Sequence, residues 1–350
     1  MKMKKVYFTP GPSELYFTYA DHHRHAIREQ IGSISHRDPA FMDLYAHTVS
    51  QLKELLQIPA NYQLVFTSSA TECWERIAQN LVHEKSHHFV HGDFGMKFYQ
   101  VANDLDKGAV LTNIQSGYQA TQVAEKLIAL TMNETSTGYQ HTIEDLAETR
   151  SKNPDALIAL DVVSAAPAVP IDFSLIDTSY FSVQKCFGLP AGLGVWIVND
   201  RCLEIANKAP FPSYHSLPNL LKMGAKNQTP ETPNVLGIYL LGKIAEDMNR
   251  RGINAIRSEI NYKAALLYQT IEEHPHLSIS ITDKAHRSKT TIVANCPDGN
   301  ERILESMAKK GMILGTGYGK NSGDQIRIAN FPTHSKEQVE LLCDALIKFK

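Results

Sequence analysis

Apolar and polar positions switch between helical and strand periods along the first two thirds of the chain, which predicts strands and helices in succession around a largely parallel sheet. The clearest unit opens at Asp38-Pro39, an N-cap and a first-turn proline, after which Phe41, Leu44, Tyr45, Val49, Leu52, Leu55 and Leu56 recur at helical spacing. Beyond the turn at Pro59-Ala60-Asn61, residues 62–67 read as a strand that feeds a polar turn, Thr67-Ser68-Ser69-Ala70-Thr71. Trp74, Ile77, Ala78 and Leu81 then mark one face of the next helix. Further strands are predicted over 88–91, 110–113, 128–132, 157–163, 180–183 and 194–198. From 233 to about 274 the pattern is helical, with a break near Gly252 where a smaller domain begins. That domain reads as α+β, with strands near 277–281 and 290–294, a helix over 301–310 and strands around Ile313 and Ile326. A terminal helix follows, opened by a Ser335/Gln338 capping box.

Composition narrows the function. The 350 residues suffice for two domains, and 35 basic against 37 acidic side chains leave a net charge of −2, so no basic field invites nucleic acid. The longest apolar run, 156–169, is interrupted by Asp161 and is shorter than the roughly 20 residues of a membrane span. The basic start Met1-Lys2-Met3-Lys4-Lys5 leads into Phe8-Thr9-Pro10-Gly11-Pro12, with no apolar signal core, so a soluble cytoplasmic protein is expected. Five cysteines, an odd number without a C-x-x-C pair, are expected to be ordinary buried thiols. His22, His23 and His25, and His87, His88 and His91, have no helical His-x-x-x-His with an acidic partner; surface histidines and no metal are expected. The glycine-rich run 315–320 is not a P-loop, because Leu314 and Asn321 occupy positions that need Gly and Ser/Thr.

Three features carry chemistry. Asp161 lies inside the apolar run Leu157-Ile158-Ala159-Leu160-Asp161-Val162-Val163, where an unpaired ionised carboxylate costs several kcal/mol, so it calls for a cationic partner. Lys185 ends another apolar strand before the loop Gly188-Leu189-Pro190-Ala191-Gly192, and desolvation there favours the free amine that attacks an aldehyde. Ser69, Ala70 and Thr71 sit where orphan N–H groups and the helix dipole favour an anion such as phosphate. Each has a plain alternative: a turn-capping aspartate, a snorkelling lysine, an ordinary helix cap. Together they are the three handles that pyridoxal phosphate requires.

The chain resembles the class V, fold type I pyridoxal-phosphate aminotransferases, and within them the phosphoserine aminotransferase branch. The likeness runs through Phe8-Thr9-Pro10-Gly11-Pro12, Ser35-His36-Arg37, Asn133-Glu134-Thr135-Ser136-Thr137-Gly138, Asp161-Val162-Val163-Ser164, Gln184-Lys185, the loop after it, Thr229-Pro230-Glu231-Thr232, and Gln325-Ile326-Arg327-Ile328-Ala329-Asn330. The resemblance implies an N-terminal arm over 1–15, a large cofactor-binding domain over 16–250 with a mostly parallel seven-stranded sheet, and a small α+β domain over 251–350. Lys185 would be the lysine that carries the cofactor and then shuttles a proton, and Asp161 the partner of the pyridine nitrogen. Thr135 would bond the ring hydroxyl, Phe94 stack on the ring, and Ser69, Ala70, Thr71 and Gln184 hold the phosphate. Gln228 and Thr229 would reach the phosphate of a neighbouring subunit, implying a homodimer with shared sites. Arg327 would clamp the substrate's α-carboxylate, with His36 and Arg37 facing its distal anion.

Three positions depart from that branch. Ala70-Thr71 stands where it has a Gly-Arg step, Lys320-Asn321 where it has a His-Arg pair, and Phe94 where it has tryptophan. The implied activity is transamination between phosphoserine and 2-oxoglutarate in serine biosynthesis, with an alanine- or serine–glyoxylate (pyruvate) enzyme of the same fold as the alternative. Cysteine desulfurase chemistry is disfavoured, since 315–324 holds no cysteine.

Overall fold

The computed structural model describes residues 5–115 and 117–349; the first four residues of the expected arm lie outside them. The strands are β1 (Val6–Phe8), β2 (Tyr62–Thr67), β3 (Ser86–Val90), β4 (Ala109–Asn113), β5 (Leu127–Thr131), β6 (Asn133–Glu134), β7 (Tyr139–Gln140), β8 (Leu157–Asp161), β9 (Thr178–Ser182), β10 (Gly194–Asn199), β11 (Ser278–Ile279), β12 (Thr291–Asn295), β13 (Met312–Thr316) and β14 (Gln325–Ala329). Seven of them form the large sheet in the order β2-β10-β9-β8-β5-β3-β4. Only β10 runs against its neighbours there.

Alternate residues of these strands enter opposite cores, as a sheet covered on both faces requires. Leu64, Phe66, Ile158 and Leu160 join one apolar cluster, and Val65, Leu157 and Ala159 the other. The first cluster is closed by helices α2 (Pro39–Leu56) and α8 (Val235–Arg251), through residues such as Leu52 and Leu241. The second is closed by α3 (Ala70–Leu81) with Trp74 and Ile77, and by Phe98 of α4 (Asp93–Asp104). Asp38 caps α2 by accepting from the Ala40 N–H at 2.8 Å, with Pro39 in the first turn.

Gly252, at φ +85°, breaks the long helical stretch between α8 and α9 (Ile253–Glu272). A positive φ costs glycine little and other residues more, which localises the break. Ile256 and Ile260 of α9 pack into the first core, whereas Ala264, Leu267 and Ile271 pack against the small sheet. That sheet has the order β1-β13-β14-β12-β11, and the Ser335/Gln338 capping box opens the final helix (Lys336–Ile347) beside it.

Several expectations need correction. The arm contributes β1, which pairs parallel to β13 (Val6 with Met312, Phe8 with Leu314) and so belongs to the small sheet. Strand β8 stops at Asp161 and does not run to Val163, because the Asp161 carboxylate itself accepts the Val163 N–H at 2.9 Å and turns the chain. His87 and His88 are not surface residues. Strand β3 lies between β4 and β5, both faces of the sheet are covered, and His88 is 1% exposed. Its Nε2 pairs with Ser86 Oγ at 2.8 Å, its ring meets Phe98 edge-on, and burial pushes its pKa down to about 3. Among the described residues no helix is long and apolar enough to cross a membrane, and no cluster of His, Cys, Asp or Glu is placed to hold a metal. All five cysteines are free and buried.

Candidate active site

The carboxyl ends of the parallel strands are where loops leave an open sheet and ligands collect. Here they frame a cavity of about 170 Å³ lined by Ala70, Thr71, Phe94, Thr135, Asp161, Gln184, Lys185 and Arg327, eight of the residues expected from sequence. A larger hollow of about 730 Å³ lies at the opposite, amino ends of the strands, lined by Leu81 and Leu157 among mixed charges; it contains none of the candidate residues.

Asp161 is at the tip of β8 and fully sequestered. Burial is the main influence on its carboxyl and raises its pKa to about 6, against the opposing pull of the Val163 N–H, Lys185 and Tyr180. The register that sets Asp161 opposite Tyr180 makes Tyr180 its hydrogen-bond partner. Trp74, which lines the cavity, in turn donates its indole N–H to the Tyr180 hydroxyl at 2.8 Å. Tyr180 and Trp74 were not assigned to the site from sequence, although both were legible as core residues.

Lys185 follows β9 in a turn closed by the Gly188 N–H donating to its carbonyl at 2.9 Å. Gly188 has φ +59°, and a Cβ there would fall 2.3 Å from Thr333 Cγ2 and 2.5 Å from the Tyr16 nitrogen, so the turn demands glycine. Burial lowers the Lys185 pKa, while Asp161 and Glu134 pull it back up. Its ammonium nitrogen lies 5.1 Å from the Phe94 ring centroid. On the other side Gly11, at φ +125°, leaves room for the lysine stem: an added Cβ would stand 3.1 Å from both Cγ and Cε.

Phe94 is held by a residue that sequence reasoning quoted without a role. Glu134, 1% exposed, accepts the N–H groups of Phe94 and Gly95 on Oε2, both at 3.1 Å, and the Ser136 N–H and hydroxyl on Oε1 at 3.0 and 2.6 Å. A buried carboxylate at the start of α4 satisfies orphan donors and the helix dipole together. Ser69 caps α3 by accepting the Glu72 N–H at 3.1 Å, and Ser182 accepts the Ala70 N–H at 2.7 Å. Thr71 lines the cavity, whereas Ser69 is not among its lining residues.

Arg327, on β14, enters from the small sheet. Its Nε donates to the Thr316 carbonyl at 2.7 Å and Nη1 to the Thr135 carbonyl at 3.3 Å, while its guanidinium lies 5.2 Å from the Tyr318 ring centroid. Tyr318 also lines the cavity and was missed, since nothing in a Gly-rich loop distinguishes an inward ring from an outward one.

His36, Arg37, Gln228 and Thr229 do not reach this cavity. Arg37 Nη1 donates to Gln228 Oε1 at 2.7 Å and to the Thr229 carbonyl at 2.9 Å, and Nη2 to the Pro230 carbonyl at 3.1 Å. Lys320 is exposed on a short turn, Gly319–Asn321, beyond Tyr318.

The Aminotransferase class-V family profile matches residues 11–324 of the chain. A phosphoserine aminotransferase from a Nocardioides species is 29% identical over 350 residues, covering 96% of this chain and 92% of that protein. A crystal structure of a phosphoserine aminotransferase from Cytophaga hutchinsonii is 44% identical, with TM-score 0.95 and 98% of each chain covered. An alanine–glyoxylate aminotransferase from a Nostoc species, at 20% identity and TM-score 0.84 over 99% of this chain and 96% of its own, shares the fold. With a buried lysine and a buried aspartate framing one cavity at the end of a seven-stranded sheet, and with that profile spanning most of its length, the chain belongs to the class-V aminotransferases.

Proposed function

We propose that the protein is a pyridoxal-phosphate-dependent transaminase that moves the amino group between O-phosphoserine and 2-oxoglutarate, the nitrogen-transfer step of serine biosynthesis. The observation that carries the cofactor assignment is the joint placement of Lys185 and Asp161, both buried, on a cavity bounded by the amino end of α3 and by Phe94. The substrate assignment draws support from the phosphoserine aminotransferases that this chain resembles.

The residues present fit the cofactor. The start of α3 offers a dipole and, at Thr71, an N–H and a hydroxyl for a dianionic phosphate, Gln184 a side-chain amide, and Phe94 a flat apolar face. Asp161 is held in low dielectric with its pKa raised, the state in which a cationic ring nitrogen is its best partner. Asn133, also on the cavity, has a buried Oδ1 with no protein partner. When bound, the cofactor supplies an electron sink conjugated to the substrate's Cα.

Each residue then has a physical task. Lys185 Nζ, desolvated and therefore a good nucleophile and base, would hold the cofactor's aldehyde carbon and take and return the proton at the substrate's Cα. Asp161 would keep the ring nitrogen protonated, Thr135 would bond the ring hydroxyl, and Arg327 would bind the α-carboxylate through its two-pronged guanidinium. Ser69 would act by fixing the α3 terminus. Arg37, bound to Gln228 and Thr229, and His36 beside it in sequence, none of them on this chain's cavity, would serve the cavity of a second copy in a homodimer. The division into an arm over 1–15, a large unit over 16–250 and a small unit over 251–350 would put Lys185 and Asp161 on the large unit and Arg327 on the small one.

The test is a half-reaction screen. Phosphoserine, glutamate, alanine and serine are mixed separately with the loaded enzyme, and the cofactor's absorption is followed. Rapid conversion by phosphoserine and glutamate is the expected result. Conversion by alanine or serine alone would replace this reading with the glyoxylate or pyruvate type.

A further inference from the structure

The substrate named above has a second anion, three bonds beyond its Cα, and the residues expected to meet it are not at this chain's cavity. Lys320 is exposed, and Arg37 is engaged with Gln228, Thr229 and Pro230. We propose that Lys97 is a further specificity-determining cation for the substrate's distal phosphate or carboxylate, beside the Arg37 that a second copy would supply. This inference rests on the transaminase reading of the preceding section.

Lys97 lies one turn after Phe94 on α4, so both side chains share a face. Its ammonium is 5.3 Å from the Phe94 centroid and 5.0 Å from the Tyr318 centroid, and it donates to the Tyr318 hydroxyl at 2.5 Å. Phe94 and Tyr318 both line the cavity, and their centroids are 5.2 Å apart. The Tyr318 ring thus carries Arg327 and Lys97 at similar distances, 5.2 and 5.0 Å, one cation for each end of an amino acid with two anions. The contacts of Lys97 among the described residues are to Tyr318 and Phe94; Asp93, one turn earlier on α4, is a competing charge that also bears on Arg327. The lysine's partners here, two aromatic rings and a phenol hydroxyl, are neutral, and a substrate anion would displace the phenol at small cost. Lys97 needs no covalent part in the reaction.

The test compares Lys97→Met, Lys97→Arg and the unaltered holoenzyme. KM for phosphoserine and glutamate is measured beside KM for alanine, together with the calorimetric Kd of 3-phosphonopropionate, which has both anions and no amine. Lys97→Met should raise the phosphoserine KM and the phosphonopropionate Kd by about 10- to 100-fold, with a change for alanine at least several-fold smaller. Lys97→Arg should recover most of the loss. Equal effects on phosphoserine and alanine, or no effect on the phosphonopropionate Kd, would overturn the proposal. An unaltered enzyme that converts alanine and ignores phosphoserine sinks the transaminase assignment itself, a different outcome from an active phosphoserine enzyme indifferent to position 97.

Discussion

The Lys185 cavity and the Arg37 cluster are built from opposite principles. Around Lys185, ionisable and polar groups are buried with too few protein partners: Asp161 has its pKa raised to about 6, Lys185 is shifted down, and the amide oxygen of Asn133 is unmatched. Around Arg37, Gln228 Oε1 and two carbonyls take three of the five guanidinium N–H donors, at an exposed location. Unsatisfied buried polarity is costly and persists where a ligand completes it. Paired surface polarity instead orders a loop and presents it. The first region is therefore a site that a ligand would complete, and the second, in the proposed homodimer, would act on a neighbouring chain.

The comparison breaks most easily at Lys185. Lys185→Ala should lower transamination by about a thousandfold or more, with loss of the lysine-bound cofactor's absorption band; near-normal turnover would remove the central role assigned. Asp161→Asn should act in two directions. Turnover should fall by about a hundredfold or more, whereas the cofactor-free protein should gain about 2–3 kcal/mol at pH 8, since the folded carboxyl has a pKa near 6 against an ordinary 3.8. The sign follows from the raised value: the native state is favoured below the unfolded pKa and loses that advantage as pH climbs through 6. Urea midpoints of the two cofactor-free proteins at pH 4 and pH 8 check it, and a gain that does not grow with pH would contradict it.

Gly11→Ala tests how tightly the arm is packed on the lysine. With φ +125° and 3.1 Å to the lysine stem, the substitution should cost about 1–3 kcal/mol of stability and lower kcat by about tenfold. Thermal melts and steady-state rates are the measurements. Arg37→Ala should have the smallest consequence, an increase of about tenfold in KM for phosphoserine or glutamate and less for alanine. A mixed dimer of Arg37→Ala and Lys185→Ala chains sharpens the contrast. The intact lysine lies in the Arg37→Ala chain, so if Arg37 serves the neighbour that cavity receives the partner's arginine and keeps an ordinary KM, whereas a raised KM would place Arg37 at its own chain's cavity.

Much of this architecture was readable from patterning because both faces of the large sheet are covered. Strands such as 127–131 and 157–161 then become short apolar runs bounded by turns, and Asp161 stands out as the one charge inside such a run. Lys185 was legible for the same reason. Glu134 was not, because its value lies in four donors from two segments that sequence separates by some forty positions. His88 was misjudged because strand-period alternation says nothing about whether a second layer of helices covers the other face. The pairing of β1 with β13 was invisible, since a three-residue strand has too short a period to announce itself.

By itself the amino-acid order determined which segments fold as strands or helices, where glycine must stand, and which carboxylate and amine would be expelled from water. Those are local consequences of side-chain volume, backbone freedom and desolvation. Tertiary structure decided which groups meet: that Tyr180 and Trp74 brace Asp161, that Glu134 pins Phe94, that Lys97 and Arg327 flank one tyrosine ring, and that Arg37 turns away from this chain's own cavity. Contacts between distant segments depend on strand register and helix packing, which are collective properties of the folded core.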